Sequence, residues 1–156
     1  YEIASCLVGS EMCIRDSQVS LYFVVNVDYW VKLVLNRMNE AKYLVKKITE
    51  GIQEKKGKNI VIADLTAIND TICSYFVICQ GNSPSQVTAI VDSVKEYVHK
   101  EINDKPTGID GLRNAEWVAM DYSDVLVHVF LPETRNFYNL EHLWADAKLT
   151  QIPDLD

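Results

Sequence analysis

Three side chains late in the chain have the types and spacing from which chemistry is made. Asp121 and Asp124 stand three apart in EWVAMDYSDVLVHVF (116–130), and His128 follows four residues on. Two carboxylates and an imidazole can hold a divalent cation or share acid–base work, provided that they converge. The run around them is apolar and β-branched, and reads as two strands, EWVAMDY and DVLVHVFL, joined by a tight turn. His128 would then lie roughly 14 Å along its strand from the aspartates, at ~3.4 Å per residue, so the three cannot bind one ion. Aspartate is a usual turn residue, and turn chemistry is the preferred reading of the pair.

The other candidates carry less. Cys73 and Cys79 lie near a strand, with no base placed to make either a nucleophile. Cys79 reads as a small buried hydrophobe. Four cysteines without a CxxC pair give neither a zinc site nor a disulfide framework, and a reducing cytosol is the default. His99 and His142 fall on helices with no visible partner. Gly81-Asn82-Ser83 sits between a strand and a helix, where a phosphate could be cradled, but no lysine follows to make a P-loop. A glycine-bearing turn with a good helix cap explains it better. No catalytic residue, metal ligand or cofactor is assigned.

The elements that must position these residues follow from periodicity. Ala41, Leu44, Val45, Ile48 and Ile52 mark one buried stripe of a helix over 39–56, ended by Gly57. NIVIADLT (59–66) and YFVICQG (75–81) read as strands, the second with both faces covered because it hardly alternates. AINDTICS between them reads as a loop or short extension. Ser83 is a natural N-cap, Pro84 suits the first helical position, and Gln86 completes a capping box. Val87, Ile90, Val91, Val94, Val98 and Ile102 continue that helix. KPTGIDG (105–111) is turn-rich, with at most a short edge strand. PETRNFYNLEHLWADA predicts a last helix, with Phe137, Leu140, Glu141, Leu143, Trp144 and Ala147 in register, and LTQIPDLD a frayed tail. This order implies an α/β fold: a mixed sheet of about five strands packed with helices, as a two-layer or three-layer sandwich.

A two-residue loop of Tyr122 and Ser123 would pair Asp121 with Asp124, Ala119 with Leu126 and Trp117 with His128. Those six side chains would share one face, and Val118, Met120, Val125, Val127 and Val129 the other, apolar one. The first face is amphipathic, with one large aromatic anchor.

Residues 1–37 stand apart. LVGSEMCIRDS (Leu7–Ser17) resembles one reading frame of a common transposase-derived sequencing adapter, so the expectation is a non-native extension, with Met38 as the natural start. Asn26, Asp28 and Lys32 interrupt the apolar run 18–37, against a membrane span, and its alternation also admits a strand. From Met38 onward, 12 Lys+Arg stand against 18 Asp+Glu, a net charge of −6. That balance argues against a direct nucleic-acid binder. Lys46, Lys47, Lys55, Lys56 and Lys58 read as a solvated helix face and tail.

YFVICQGNSPSQVTAIVDSV, EWVAMDYSDVLVHVF and FYNLEHLWADA, in this order and spacing, resemble the ribosomal silencing factor family, also called Iojap. The resemblance covers about Met38–Ala147, within an expected domain of 38–150 followed by a tail of 151–156. It implies a nucleotidyltransferase-like fold, a cytoplasmic and homodimer-capable protein, and a partner in the fourteenth protein of the large ribosomal subunit. Occupying that protein would keep the small subunit from joining and repress translation, with no chemistry. The same resemblance places Trp117 and Tyr122 at the partner interface, with Ala119, Met120, Asp121, Asp124, Leu126 and His128 as contributing neighbours. Ser74 stands where the family usually has an acid, and Ser123 where it tends to have glycine. Two alternatives remain: a nucleotidyltransferase-like enzyme, against which the absence of a D-x-D strand counts, and a large-subunit maturation factor.

Overall fold

The computed structural model describes residues 3–68 and 71–155, with side chains from Tyr29 onward. Asn69 and Asp70 of the expected loop, and the side chains of residues 1–28, lie outside the described residues. Two compact units are present, residues 1–39 and 40–156. The first is helical: α1 runs from Ile3 to Glu54, so the strand option for 18–37 is not taken up. Among the described residues, no helix is long and apolar enough to cross a membrane.

The second unit is built on a mixed sheet of six strands in the order β3-β4-β5-β2-β1-β6. These are β1 (Lys58–Asp64), β2 (Tyr75–Gln80), β3 (Gly108–Asp110), β4 (Trp117–Asp121), β5 (Val125–Phe130) and β6 (Lys148–Ile152). The central pair, β2 and β5, is parallel, and every other pairing is antiparallel. β2 is buried from Tyr75 to Cys79, as its unbroken apolar run demands. The sixth strand is the segment expected to fray. Lys148–Ile152 instead pairs with Asp64–Ile60 along its whole length. Its side chains are mostly exposed, so no apolar alternation announces it. The backbone ladder and the buried Ala147 before it hold it in place.

One face of the sheet is closed by the residue 40–54 part of α1 and by α2 (Pro84–Ile102). The stripe read from sequence, Ala41, Leu44, Val45, Ile48 and Ile52, is buried here, with Val87, Ile90, Val91, Val94 and Val98. Lys56, at φ 55°, is the left-handed residue that ends α1. Gly57 serves closeness instead: a Cβ there would sit 2.4 Å from the Ile52 side chain. The cap of α2 is a variant of the expected box. Ser83 Oγ accepts from the Gln86 amide at 3.2 Å, while Gln86 Oε1 accepts from Asn82 N at 2.8 Å. Gln86 Nε2 then donates to the Lys55 and Lys56 carbonyls, both at 3.1 Å, so one side chain ties the end of α1 to the start of α2.

The last helix is broken. α3 (Pro132–Tyr138) stops at Asn139, at φ 41°, and α4 (Leu140–Leu143) restarts in a new direction. Arg135 is the cause visible in the packing. It is buried, donates from Nε to Glu141 Oε1 at 2.9 Å, and donates from Nη1 to the Asn59 carbonyl at 2.7 Å. Residues six apart lie roughly 120° around a straight helix, so this ion pair can close only if the helix breaks between them. Leu140 and Trp144 consequently pack on the sheet, while Phe137 and Leu143 face outward.

Candidate functional surface

β4 and β5 form the expected ribbon with a longer turn. Trp117 pairs with Phe130, Val118 with Val129, Ala119 with His128, Met120 with Val127 and Asp121 with Leu126. This corrects the pairing of Asp121 with Asp124 and of Trp117 with His128 by two residues. Three hydrogen bonds hold the wider turn: Asp121 Oδ1 accepts from Ser123 N at 2.7 Å, Tyr122 N donates to the Val125 carbonyl at 3.0 Å, and Asp124 N donates to the Tyr122 carbonyl at 2.9 Å. Ser123 takes φ 68°. The Asp124 carbonyl accepts from Ser74 and Tyr75 amides, docking the turn on the start of β2. A slip of two preserves the alternation of side chains. Trp117, Ala119, Asp121, Leu126 and His128 therefore still share a face, now with Phe130 opposite Trp117 and Leu126 opposite Asp121.

Exposure divides the predicted residues. Trp117, Ala119, Asp121, Asp124 and Leu126 are half-buried. Met120 is fully buried on the opposite face, and Tyr122 is 4% exposed within the same helix-covered core. An exposed tyrosine at the ribbon tip is thus not what the fold provides. Tyr122 continues the alternation of Val118 and Met120 past the end of β4, so its ring enters the helix-covered core. Its hydroxyl has no hydrogen-bond partner among the described residues, and burial pushes its ionisation far above the ordinary tyrosine range.

The outward face has become an aromatic cluster. Phe130 stacks on the Trp117 indole at 5.1 Å, and Tyr138 leans on it at 4.9 Å. Phe137 stands edge-on to Tyr138 at 5.1 Å and is 79% exposed. His128 lies beneath, buried, with Phe76 edge-on at 5.3 Å. Its Nδ1 accepts the Trp117 Nε1 proton at 3.2 Å. Desolvation alone lowers its pKa from 6.5 to about 4, so the ring is neutral near pH 7. Gly111 shapes the far side: it sits at φ 91°, and a Cβ there would overlap the Trp117 carbonyl oxygen. Tyr138 and Phe137 were not drawn to this surface by sequence reasoning. A continuous last helix would have spread them around its axis; the signal for the break is Asn139, a residue type that accepts the left-handed conformation found there.

The chemistry-bearing candidates stay apart. Among the described residues, no three His, Cys, Asp or Glu side chains are grouped to hold a metal. Burial raises the Cys73 thiol to about 11 and the Cys79 thiol to about 12, which keeps both protonated. At the Gly81–Ser83 turn, the Gln86 side chain takes the Asn82 amide that an anion would need.

The profile described as "Ribosomal silencing factor during starvation" matches residues 38–156. The ribosomal silencing factor RsfS of Bacillus subtilis (strain 168) is 36% identical over 115 residues, 74% of this chain and 95% of that one. A mouse protein named mitochondrial assembly of ribosomal large subunit protein 1 is 30% identical over 118 residues, 72% of this chain and 51% of that one. A crystal structure of a Chromobacterium violaceum protein superposes with a TM-score of 0.63 at 32% identity, covering 73% of this chain and 90% of that one.

Proposed function

The chain belongs to the ribosomal silencing factor family, and on that premise we propose that it represses translation by seating its aromatic face on the large ribosomal subunit. The docking partner in this reading is the fourteenth protein of that subunit, and the effect is steric: the small subunit is kept from joining. The observation that carries the reading is the half-buried Trp117 indole, braced by Phe130 and Tyr138 on a rigid ribbon and bordered by the exposed Phe137. Aromatic side chains fixed in this way dominate interface energies because little freedom is lost on binding. Ala119, Asp121, Leu126 and the turn residue Asp124 complete the surface, with Met120, Tyr122 and His128 supporting it from beneath.

Charge fits a protein contact. A net charge of −6 over residues 38–156 is repelled by RNA phosphates but complements a basic ribosomal protein. Trp117→Ala should weaken binding to purified large subunits by about 2 kcal/mol or more, some thirtyfold, in a sedimentation assay. Unchanged affinity in a folded variant would overturn this surface. The name of the mouse relative favours one second reading, a role in large-subunit assembly without a block on joining. A subunit-joining assay separates the two: inhibition by the chain supports silencing, and normal joining with bound protein supports assembly.

A further inference from the structure

Trp117 and His128 lie on one face of neighbouring strands but are not opposite one another. Trp117 stands across from Phe130, and His128 across from Ala119. The indole must therefore lean along the sheet to reach the imidazole, and it does so through a 3.2 Å hydrogen bond from Nε1 to His128 Nδ1. An accepting Nδ1 requires the neutral ring with its proton on Nε2. The ring itself is confined, 8% exposed between the Phe76 edge and Phe130, which lies at 6.1 Å. Phenylalanine would fill such a place with less cost, since a buried acceptor is unfavourable unless it is used. Here it is used, and its partner is the one aromatic side chain that the proposed surface depends on.

We infer that His128 is a positioning residue for partner binding: by accepting the indole proton at Nδ1, it fixes the orientation in which Trp117 meets the ribosome. It contributes no contact of its own. Without the acceptor, the indole keeps its stacking on Phe130 but loses the one directional bond that selects among its rotations. The inference rests on the reading of Trp117 as the docking anchor, and its test is built to fail separately.

Two substitutions in the full chain pull packing and hydrogen bonding apart. His128→Phe keeps a ring and removes the acceptor, whereas His128→Asn removes the ring and leaves an oxygen near the place of Nδ1. Positioning requires His128→Phe to bind large subunits about tenfold or more weakly, with His128→Asn within about threefold of the wild type, a step of one hydrogen bond. It also requires faster solvent exchange of the Trp117 indole proton in His128→Phe. The opposite order, with phenylalanine binding normally and asparagine poorly, assigns His128 to packing and overturns the inference. Should either variant fail to fold, nitrogen NMR of the wild-type imidazole decides: Nδ1 unprotonated with a protected indole N–H supports it, and a proton on Nδ1 refutes it. If the wild type does not sediment with large subunits, the docking reading falls, while the imidazole spectrum still reports on the orienting bond.

Discussion

The two faces of the sheet are built from different materials. Under α1 and α2 the core is aliphatic: Ile48, Ile52, Ile90 and Val94 meet Val118, Val127 and Val129, all fully buried. On the other face the packing is aromatic, with Phe76, Phe130 and Trp117 around His128 and Trp144 edge-on to Phe76, and the cover comes from the short helices α3 and α4. Two long helices close the first face; two short ones leave part of the second open. The uncovered part is where Trp117 stays half-buried and Phe137 stays out. On the proposed reading, the difference is a division of labour in which one side supplies stability and the other presents the docking surface.

The largest test of that division lies in the aliphatic face. Ile48→Ala should lower unfolding free energy by about 4 kcal/mol in urea titrations, since a fully buried isoleucine leaves a cavity among helix neighbours. The fraction that remains folded should bind large subunits with normal affinity. A parallel loss of affinity would break the comparison.

Acid probes the aromatic face. His128 has a folded pKa of about 4 against 6.5 for the free side chain. Between these values the unfolded chain binds the extra proton, so stability is full above about pH 6.5 and falls as pH drops towards 4. The loss attributable to this group is about 3 kcal/mol at most, from ~1.4 kcal/mol per pH unit. Denaturant midpoints measured from pH 7 to 4 check it, and His128→Phe should flatten the slope.

Much of this architecture was legible because period and burial agree. The stripes of α1 and α2, the continuous burial of β2 and the Ser83–Pro84–Gln86 cap all follow from residue spacing. What was missed shares a physical origin in long-range pairing. β6 is held by backbone bonds to β1 and shows almost no buried side chain, so its sequence looks like a tail. The break at Asn139 accompanies the Arg135–Glu141 ion pair, in which Arg135 is also held by the Asn59 carbonyl, 76 positions away in sequence. On the ribbon, the choice of face survived a wrong turn length, because alternation is blind to a shift of two. Tyr122, read as a loop residue, is buried because the same alternation carries it onto the face of Val118 and Met120.

Phe137 sharpens the comparison from the exposed side. At 79% exposure it contributes little to folding, yet its ring borders the Tyr138–Trp117 pair. Phe137→Ser should leave the thermal midpoint nearly unchanged while weakening large-subunit binding by about 1 kcal/mol, roughly fivefold. A change in stability without a change in affinity would place Phe137 outside the docking surface.

The smallest expected effect is the most discriminating. Tyr122 belongs to the aliphatic face although it sits in the turn of the ribbon proposed to dock, and its buried hydroxyl lacks a hydrogen-bond partner among the described residues. Removing such a group is neutral or stabilising, because the desolvated oxygen gains nothing in the folded state. Tyr122→Phe should therefore shift unfolding by between zero and about +1 kcal/mol, and ribosome affinity should not move. The family resemblance makes the opposite claim, that the tyrosine touches the partner. Stripping a phenol hydroxyl from an interface costs affinity without improving stability. Measuring both quantities on this one variant decides whether the ribbon tip acts outward on the partner or inward as part of the aliphatic core.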